Sequence, residues 1–590
     1  MTVETPDGGM ELERVLQHGI ELHGAGELGD AARCYQAVLD ADPGNVDALY
    51  LMSVLAAHTG HLELAERLAR EAIAGADGYF APHIALGNAL QQGGALDEAE
   101  AAFRAALVRN PQSAEAECNL SSVLNAKGCF DEAATAAARA LVINPDFVEA
   151  RNNLGNALMG QDAVEDAAEC YELCVANNPD FADAWSNLGA ARTRLGDGEG
   201  ALEAYVRALR IEETPDRLLA VGVAFLAVGQ FEPAARCFAQ ILELDGRNLD
   251  AWNNLAVALK SLGRLAEAEA VQRDAVALAP DDAEVRFNLA LLLLQQGKWR
   301  EGWAEYEHRW GMAEFRALDR GFAQPRWDGA AFPGQTLLIT AEQGFGDAIQ
   351  FSRFIALAAE RGGRVVVECR PELRRLLATA PGCAEAVALG DALPPFDLHV
   401  PMMSLPRVLG LELVTLPAPS SYLGVPDGTA DFADVAAAPG LKVGLVWAGK
   451  ASRGDNVLRS CSPGDLAPLL ALDGISFFSL QVGGGMAAWP AGRAPRDLSG
   501  RLGDFADTAA AVAALDLVIV VDTAVAHLAG ALGKPTWVML PRPCNGFLWM
   551  DDRTDSPWYP TARLFRQAAP GDWAGVVAAV RDAVIGLCAG

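Results

Sequence analysis

The sequence predicts an all-α superhelical solenoid followed by an α/β domain of two parallel-sheet lobes. Three observations predict it. Small residues recur at a fixed period through the first half, and short apolar strands alternate with helices through the second. The 590 residues are 51% hydrophobic and 21% charged, the balance of packed globular domains rather than of disorder.

The repeat is read from Gly19, Ser53, Gly87, Ser121, Gly155, Gly189, Gly222, Ala256 and Ala290, which are spaced by 34 residues seven times and by 33 once. A second small residue follows twelve positions later, from Ala31 and Ala65 through to Gly302. Four positions beyond that stands Tyr35, Phe103, Tyr171, Tyr205, Phe238 or Tyr306. Pro43, Pro111, Pro145, Pro179 and Pro280 close repeats. Each repeat is therefore two short helices that approach closely at the small residues. The prolines end the second helix, because they lack an N–H and disfavour helix in the preceding residue. Stacked copies form a solenoid with a concave groove, expected over residues 1–310. Two positions before the small residue stand Asn119, Asn153, Asn187, Asn254 and Asn288. Asparagine is a mediocre helix former, so propensity does not explain the column. A carboxamide both donates and accepts and can pair with a peptide backbone. The column reads either as acceptor-binding residues or as caps and bridges between repeats.

Residues 311–334 read as a linker or docking segment. Strands are expected at 336–340, 365–369 and 396–400 in a first lobe (335–425), with helices running to residue 359 and over 371–380. Residues 426–440 separate a second lobe (441–590), with strands at 442–447, 475–481, 515–521 and 536–540. Nearly continuous apolar strands alternating with helices indicate parallel sheets covered on both faces. Ligands bind such sheets at the carboxyl ends of the strands. Three clusters fall there. Gly344, Gly346 and Asp347 follow the first strand. Lys450, Arg453 and Arg459 follow the first strand of the second lobe. Asp522, Thr523 and His527 lie at the start of a helix, whose N–H groups and dipole attract phosphate. Each has a plain alternative: Asp347 and Asp522 as helix caps, His527 as a core histidine, and the cations as a solvated loop. The Gly-x-Gly loop lacks the third glycine of a dinucleotide motif.

Lys+Arg 46 against Asp+Glu 77 gives −31, which argues against nucleic acid or anionic membrane as partners. No apolar run reaches the roughly 18 residues of a membrane span, so no membrane insertion is expected. Residues 1–7 lack the apolar stretch of a cleaved signal. A cytoplasmic location follows as the expectation. The eleven cysteines include no Cys-x-x-Cys. Cys170 and Cys174 would share a helix face but lack further ligands nearby, so packed thiols and no metal site are expected.

The first half resembles the tetratricopeptide repeat (TPR). The second resembles the C-terminal domain of bacterial TPR glycosyltransferases, related to ADP-heptose:lipopolysaccharide heptosyltransferases and to protein O-GlcNAc transferases. The resemblance is carried by residues 341–351 (AEQGFGDAIQF), 446–449 (VWAG), 479–481 (SLQ), Asp522-Thr523 with 527–535 (HLAGALGKP), and 555–560 (DSPWYP). The arrangement and length are also similar to alphaproteobacterial flagellin glycosyltransferases. The resemblance implies a TPR solenoid followed by a GT-B domain of two Rossmann-like lobes. It implies a metal-independent protein O-glycosyltransferase with a nucleotide-sugar as co-substrate and no other cofactor. The acceptor would be flagellin or another secreted or surface protein held by the asparagine column. Asp347 maps onto the proposed general base, and Lys450, Arg459, Asp522, Thr523, His527, Gly344 and Gly346 onto donor binding. Two alternatives stand beside it: a glycan-directed heptosyltransferase-like enzyme, and a non-catalytic TPR scaffold with a degenerate GT-B domain.

Overall fold

The computed structural model describes residues 8–76, 78–449, 459–483, 489, 494–542, 546–550 and 553–589. The chain is an all-α solenoid of short helices followed by a mixed α/β region with two parallel sheets. It divides into two compact units, Met1–Val228 and Gly229–Gly590.

The first unit runs from the helix Gly8–Gly24 to the helix Pro215–Ala227, and successive helices pack on one another. The small residues have a concrete cause. A Cβ on Gly87 would meet the Phe103 ring at 2.5 Å, and one on Gly155 the Tyr171 ring at 2.6 Å. The aromatic sixteen residues on thus lies directly over its own repeat's small residue. Where that residue is serine it adds a bond: Ser53 Oγ donates to Ala65 O at 2.8 Å and Ser121 Oγ to Ala133 O at 2.9 Å. The helices before Pro111 and Pro145 end at Arg109 and Ile143. A further periodic signal sits in the turn between the two helices. Gly26, Gly60, Gly94, Gly128 and Gly196 all have φ between 75° and 81°. Asp162 takes the same place at φ 66°, as aspartate tolerates the left-handed region better than most residues.

The second unit opens with the helices Phe231–Leu244, Leu249–Ser261, Leu265–Leu278, Ala283–Gln295 and Trp299–Tyr306. The sequence places the domain boundary near residue 310, whereas these later repeats pack as one unit with the sheets. The reason is aromatic. Trp299 stacks on Trp558 at 5.0 Å, and Trp303 meets Phe351 at 5.7 Å and Phe547 at 5.6 Å, so the last repeat shares the α/β core.

The first sheet contains β1 (Thr336–Thr340), β2 (Arg364–Cys369), β3 (Cys383–Ala388) and β4 (Leu398–Pro401), in the order β3-β2-β1-β4. The second contains β5 (Leu441–Val446), β6 (Ile475–Ser479), β7 (Arg496–Asp497), β8 (Leu517–Val521), β9 (Thr536–Leu540) and β10 (Ala562–Arg566), in the order β10-β9-β8-β5-β6-β7. All these pairings are parallel. Chain order reverses between β1 and β4 in one sheet and between β5 and β8 in the other. Parallel sheets bind ligands outside the carboxyl ends at such points. The helix expected to run unbroken to residue 359 is interrupted by a 3₁₀ turn at Ser352–Phe354.

Candidate active site at the strand ends

The described residues of the three clusters named from sequence follow strands at the reversal points: residues 344–347 after β1, Gly449 and Arg459 after β5, and residues 522–527 after β8. Lys450 and Arg453 lie outside the described residues.

The helix Phe345–Phe351 begins at Gly344, whose N–H donates to Asp347 Oδ2 at 3.1 Å. Asp347 is thus a partly exposed carboxylate in the first turn, where the helix dipole favours negative charge. This helix packs on the helix Ala524–Ala531 of the other lobe. The approach is tight at Gly346, where a Cβ would stand 2.8 Å from His527 Cδ2 and 3.6 Å from Ala524 Cα. The glycine is needed because the second lobe's helix fills that space.

Thr523 is the N-cap of Ala524–Ala531, but its hydroxyl turns back to donate to Val521 O at 3.2 Å, so it does not cap the helix. Asp522 is held from two sides: Trp549 Nε1 donates to it at 2.9 Å, and Arg459 Nη2 pairs with it at 3.0 Å. Arg459 also donates to the Asp522 carbonyl. The two charges therefore compensate one another at the strand end. His527 is buried, with Nδ1 2.9 Å from the Tyr559 hydroxyl and its ring stacked on Trp549. Burial, with smaller contributions from Arg353 and Arg459 against Asp522, pushes its pKa down to about 4. The imidazole is neutral at pH 7 and would act through hydrogen bonding rather than charge.

Sequence reasoning misses Arg353. It is buried, donates to Trp558 O at 2.7 Å, Pro417 O at 3.3 Å and Tyr422 Oη at 3.1 Å, and lies over the rings of Tyr422, Trp558 and Tyr559. It has no carboxylate partner among the described residues and pins the first lobe to the chain near residue 558. One usable signal is present in the chain: an arginine one turn beyond the Gly-Asp helix, inside an otherwise apolar run.

The asparagine column divides. Asn119 Nδ2 donates to Asn88 Oδ1 at 2.9 Å, and Asn153 Nδ2 to Cys118 O at 3.1 Å. Asn187 Nδ2 donates to Asn152 Oδ1 at 2.9 Å and to Asn156 Oδ1 at 3.1 Å. These three tie one repeat to the one before it. Asn254 and Asn288 are half-buried and make no side-chain hydrogen bond among the described residues. Among the described residues no cluster of three or more His, Cys, Asp or Glu could hold a metal ion, and no helix is long and apolar enough to cross a membrane.

The tetratricopeptide repeat model matches residues 16–79, 84–148, 152–217 and 219–283, and the chain is a tetratricopeptide-repeat protein with an additional α/β region. It is 28% identical over 409 residues to Protein FlbA of Caulobacter vibrioides, across 62% of this chain and 66% of that one. It is 30% identical over 102 residues to the peroxisomal targeting signal receptor of Eremothecium gossypii, across 17% of this chain and 18% of that one. The chain thus spans less than two thirds of the length of either relative. Among solved structures, the APC/C hetero-tetramer Cut9–Hcn1 aligns with a TM-score of 0.38 at 16% identity, covering 45% of this chain and 52% of its own. The TPR protein YrrB aligns at 0.27 and 22% identity, covering 32% and 98%.

Proposed function

We propose that the α/β region is a glycosyltransferase that moves a sugar from a nucleotide-activated donor to a hydroxyl. The observation that carries this reading is the meeting of Gly346 with His527. It sets a carboxylate, Asp347, beside the N-terminus of the helix Ala524–Ala531, each at the reversal point of its own sheet. Asp347 would take the acceptor hydroxyl's proton. The N–H groups at the start of Ala524–Ala531 would face the departing phosphate, where preorganised dipoles lower the barrier most. Arg459 compensates Asp522, which would otherwise repel that phosphate, and His527 and Thr523 border the same place. The exposed Gly344 would let backbone approach the donor, whereas Gly346, assigned to the donor from sequence, is taken up by the contact with His527. Lys450 is assigned to donor binding on sequence alone. The reading uses no metal and places the chain in the cytoplasm, where nucleotide-sugars are made.

For the acceptor, the reading is a protein held by the repeats, such as flagellin or another secreted or surface protein. Asn254 and Asn288 support it, because their carboxamides have no partner among the described residues. A second reading is supported by different observations. Asn119, Asn153 and Asn187 are engaged between repeats, and Asp522, Arg459, Thr523 and His527 each bond to a neighbour within the chain. On that reading the repeats serve assembly, and the α/β region acts on a glycan or is a scaffold without activity. The test is incubation of the full chain with labelled nucleotide-sugars and the host's surface proteins and glycans. Label on protein supports the first reading and label on glycan the second. No donor binding at millimolar nucleotide-sugar would leave the scaffold alone standing.

A further inference from the structure

The loop that leads from β1 to Asp347 is gripped by residues outside the α/β lobes. Gln343 Nε2 donates to the hydroxyl of Tyr306 at 2.8 Å, and Tyr306 is buried between Trp303 and Phe287. Arg309 is fully buried and donates to Glu342 Oε1 at 3.2 Å, to Ser404 Oγ at 3.0 Å and to Glu307 Oε1 at 2.9 Å. Its guanidinium lies over the Tyr306 and Trp310 rings. Glu342 in turn accepts the N–H groups of Met402 at 3.0 Å and Met403 at 3.3 Å, just after β4. The loops after β1 and β4, which flank the reversal point of the first sheet, are thereby tied to one another and to the last repeat. Asp347 is close enough to Tyr306 for its charge to add to the burial that raises the phenol's pKa.

We propose that Tyr306 and Arg309 are positioning residues for the loop 342–347, so that the last helical repeat completes the active site of the α/β region. The assignment to catalysis rests on the reading of Asp347 as general base; the grip on the loop does not. Tyr306 also occupies the aromatic position of its repeat, which explains the ring. It does not explain the hydroxyl, because phenylalanine fills the same position at Phe103 and Phe238. The hydroxyl's partner is the active-site loop.

Two variants in the full chain test this. Tyr306→Phe removes one oxygen and keeps the ring. Arg309→Lys keeps the charge and loses the planar fork that reaches Glu342, Ser404, Glu307 and the Tyr306 carbonyl together. Hydrogen–deuterium exchange is followed over 341–351 and, as an internal control, over β1. In Tyr306→Phe the loop amides should exchange roughly 2- to 12-fold faster, the equivalent of one hydrogen bond, with β1 unchanged. In transfer assays kcat should fall at least about tenfold while KM for the nucleotide-sugar holds, because a misplaced base costs rate rather than binding. Exchange unchanged in the loop would overturn the proposal, as would exchange raised equally throughout residues 229–590, or loosened loop amides with kcat intact. If the wild type transfers no sugar, the catalytic reading falls, and the exchange data still decide whether the last repeat holds the loop. Should Arg309→Lys fail to fold, Tyr306→Phe decides alone.

Discussion

Gly346→Ala probes the junction of the two lobes with a single methyl group. The added Cβ would stand 2.8 Å from His527 Cδ2, well inside contact distance. The imidazole cannot swing aside cheaply, since Tyr559 holds Nδ1 at 2.9 Å and Trp549 covers the ring face. Overpacking of this kind costs about 1–3 kcal/mol. Alanine's helix preference over glycine offsets roughly 1 kcal/mol of that. The expected net loss is about 0–2 kcal/mol, a fall of a few degrees or less in Tm. The decisive assay is a double-mutant cycle with His527→Ala. With the ring gone, the added methyl has room, and Gly346→Ala should become neutral or stabilising by about 1 kcal/mol. The coupling should then be about 1–3 kcal/mol, read from thermal or denaturant melts. Equal effects of Gly346→Ala in both backgrounds would show that the loops do not touch and would remove the basis for a shared site.

Other outcomes follow from the same geometry. Asn119→Ala, Asn153→Ala and Asn187→Ala combined should lower Tm, since each loses an inter-repeat bond worth about 0.5–1.5 kcal/mol net. Asn254→Ala with Asn288→Ala should leave Tm level or higher, because alanine is the better helix former, and should raise KM for a protein acceptor; unchanged KM would retire that pair as acceptor contacts. Trp303→Ala should cost about 3–5 kcal/mol. A fragment 229–590 should be folded by circular dichroism and 311–590 should not, because the latter uncovers Phe351, Phe547 and Trp558. His527 gives a pH dependence. Its folded pKa of about 4 lies below the unfolded value near 6.5, so the unfolded chain takes up the proton first as pH falls. Its contribution is whole above pH 6.5 and is lost progressively toward pH 4, by up to about 3 kcal/mol. His527→Gln should flatten that slope in melts from pH 7 to 4.

The repeats were legible because one spacing recurs through the first half and six of the nine small residues answer to a ring sixteen positions on. The strands buried on both faces, such as β1 and β8, were legible as apolar runs. β3 and β10 were not: β3 (CAEAVA) is poor in β-formers and half exposed, and both lie at sheet edges. The site residues stood out one by one at strand ends, but their pairings did not. Arg459 and Asp522 are 63 positions apart, and Gln343 and Tyr306 are 37 apart. Only folding shows that a loop of the α/β region is held by the last helical repeat. The division of the asparagine column was also hidden, because one residue type at one position serves both bridging and open places.

Asp347→Asn decides whether the strand-end carboxylate performs chemistry. Asparagine's carbonyl oxygen can accept the Gly344 N–H as the carboxylate does, so helix and fold should persist. A carboxamide takes no proton at neutral pH, and loss of a general base costs about 10²–10⁴-fold. A general base at Asp347 predicts unchanged Tm and nucleotide-sugar affinity, with single-turnover transfer reduced by that factor. Transfer at the wild-type rate by a folded Asp347→Asn protein would contradict it.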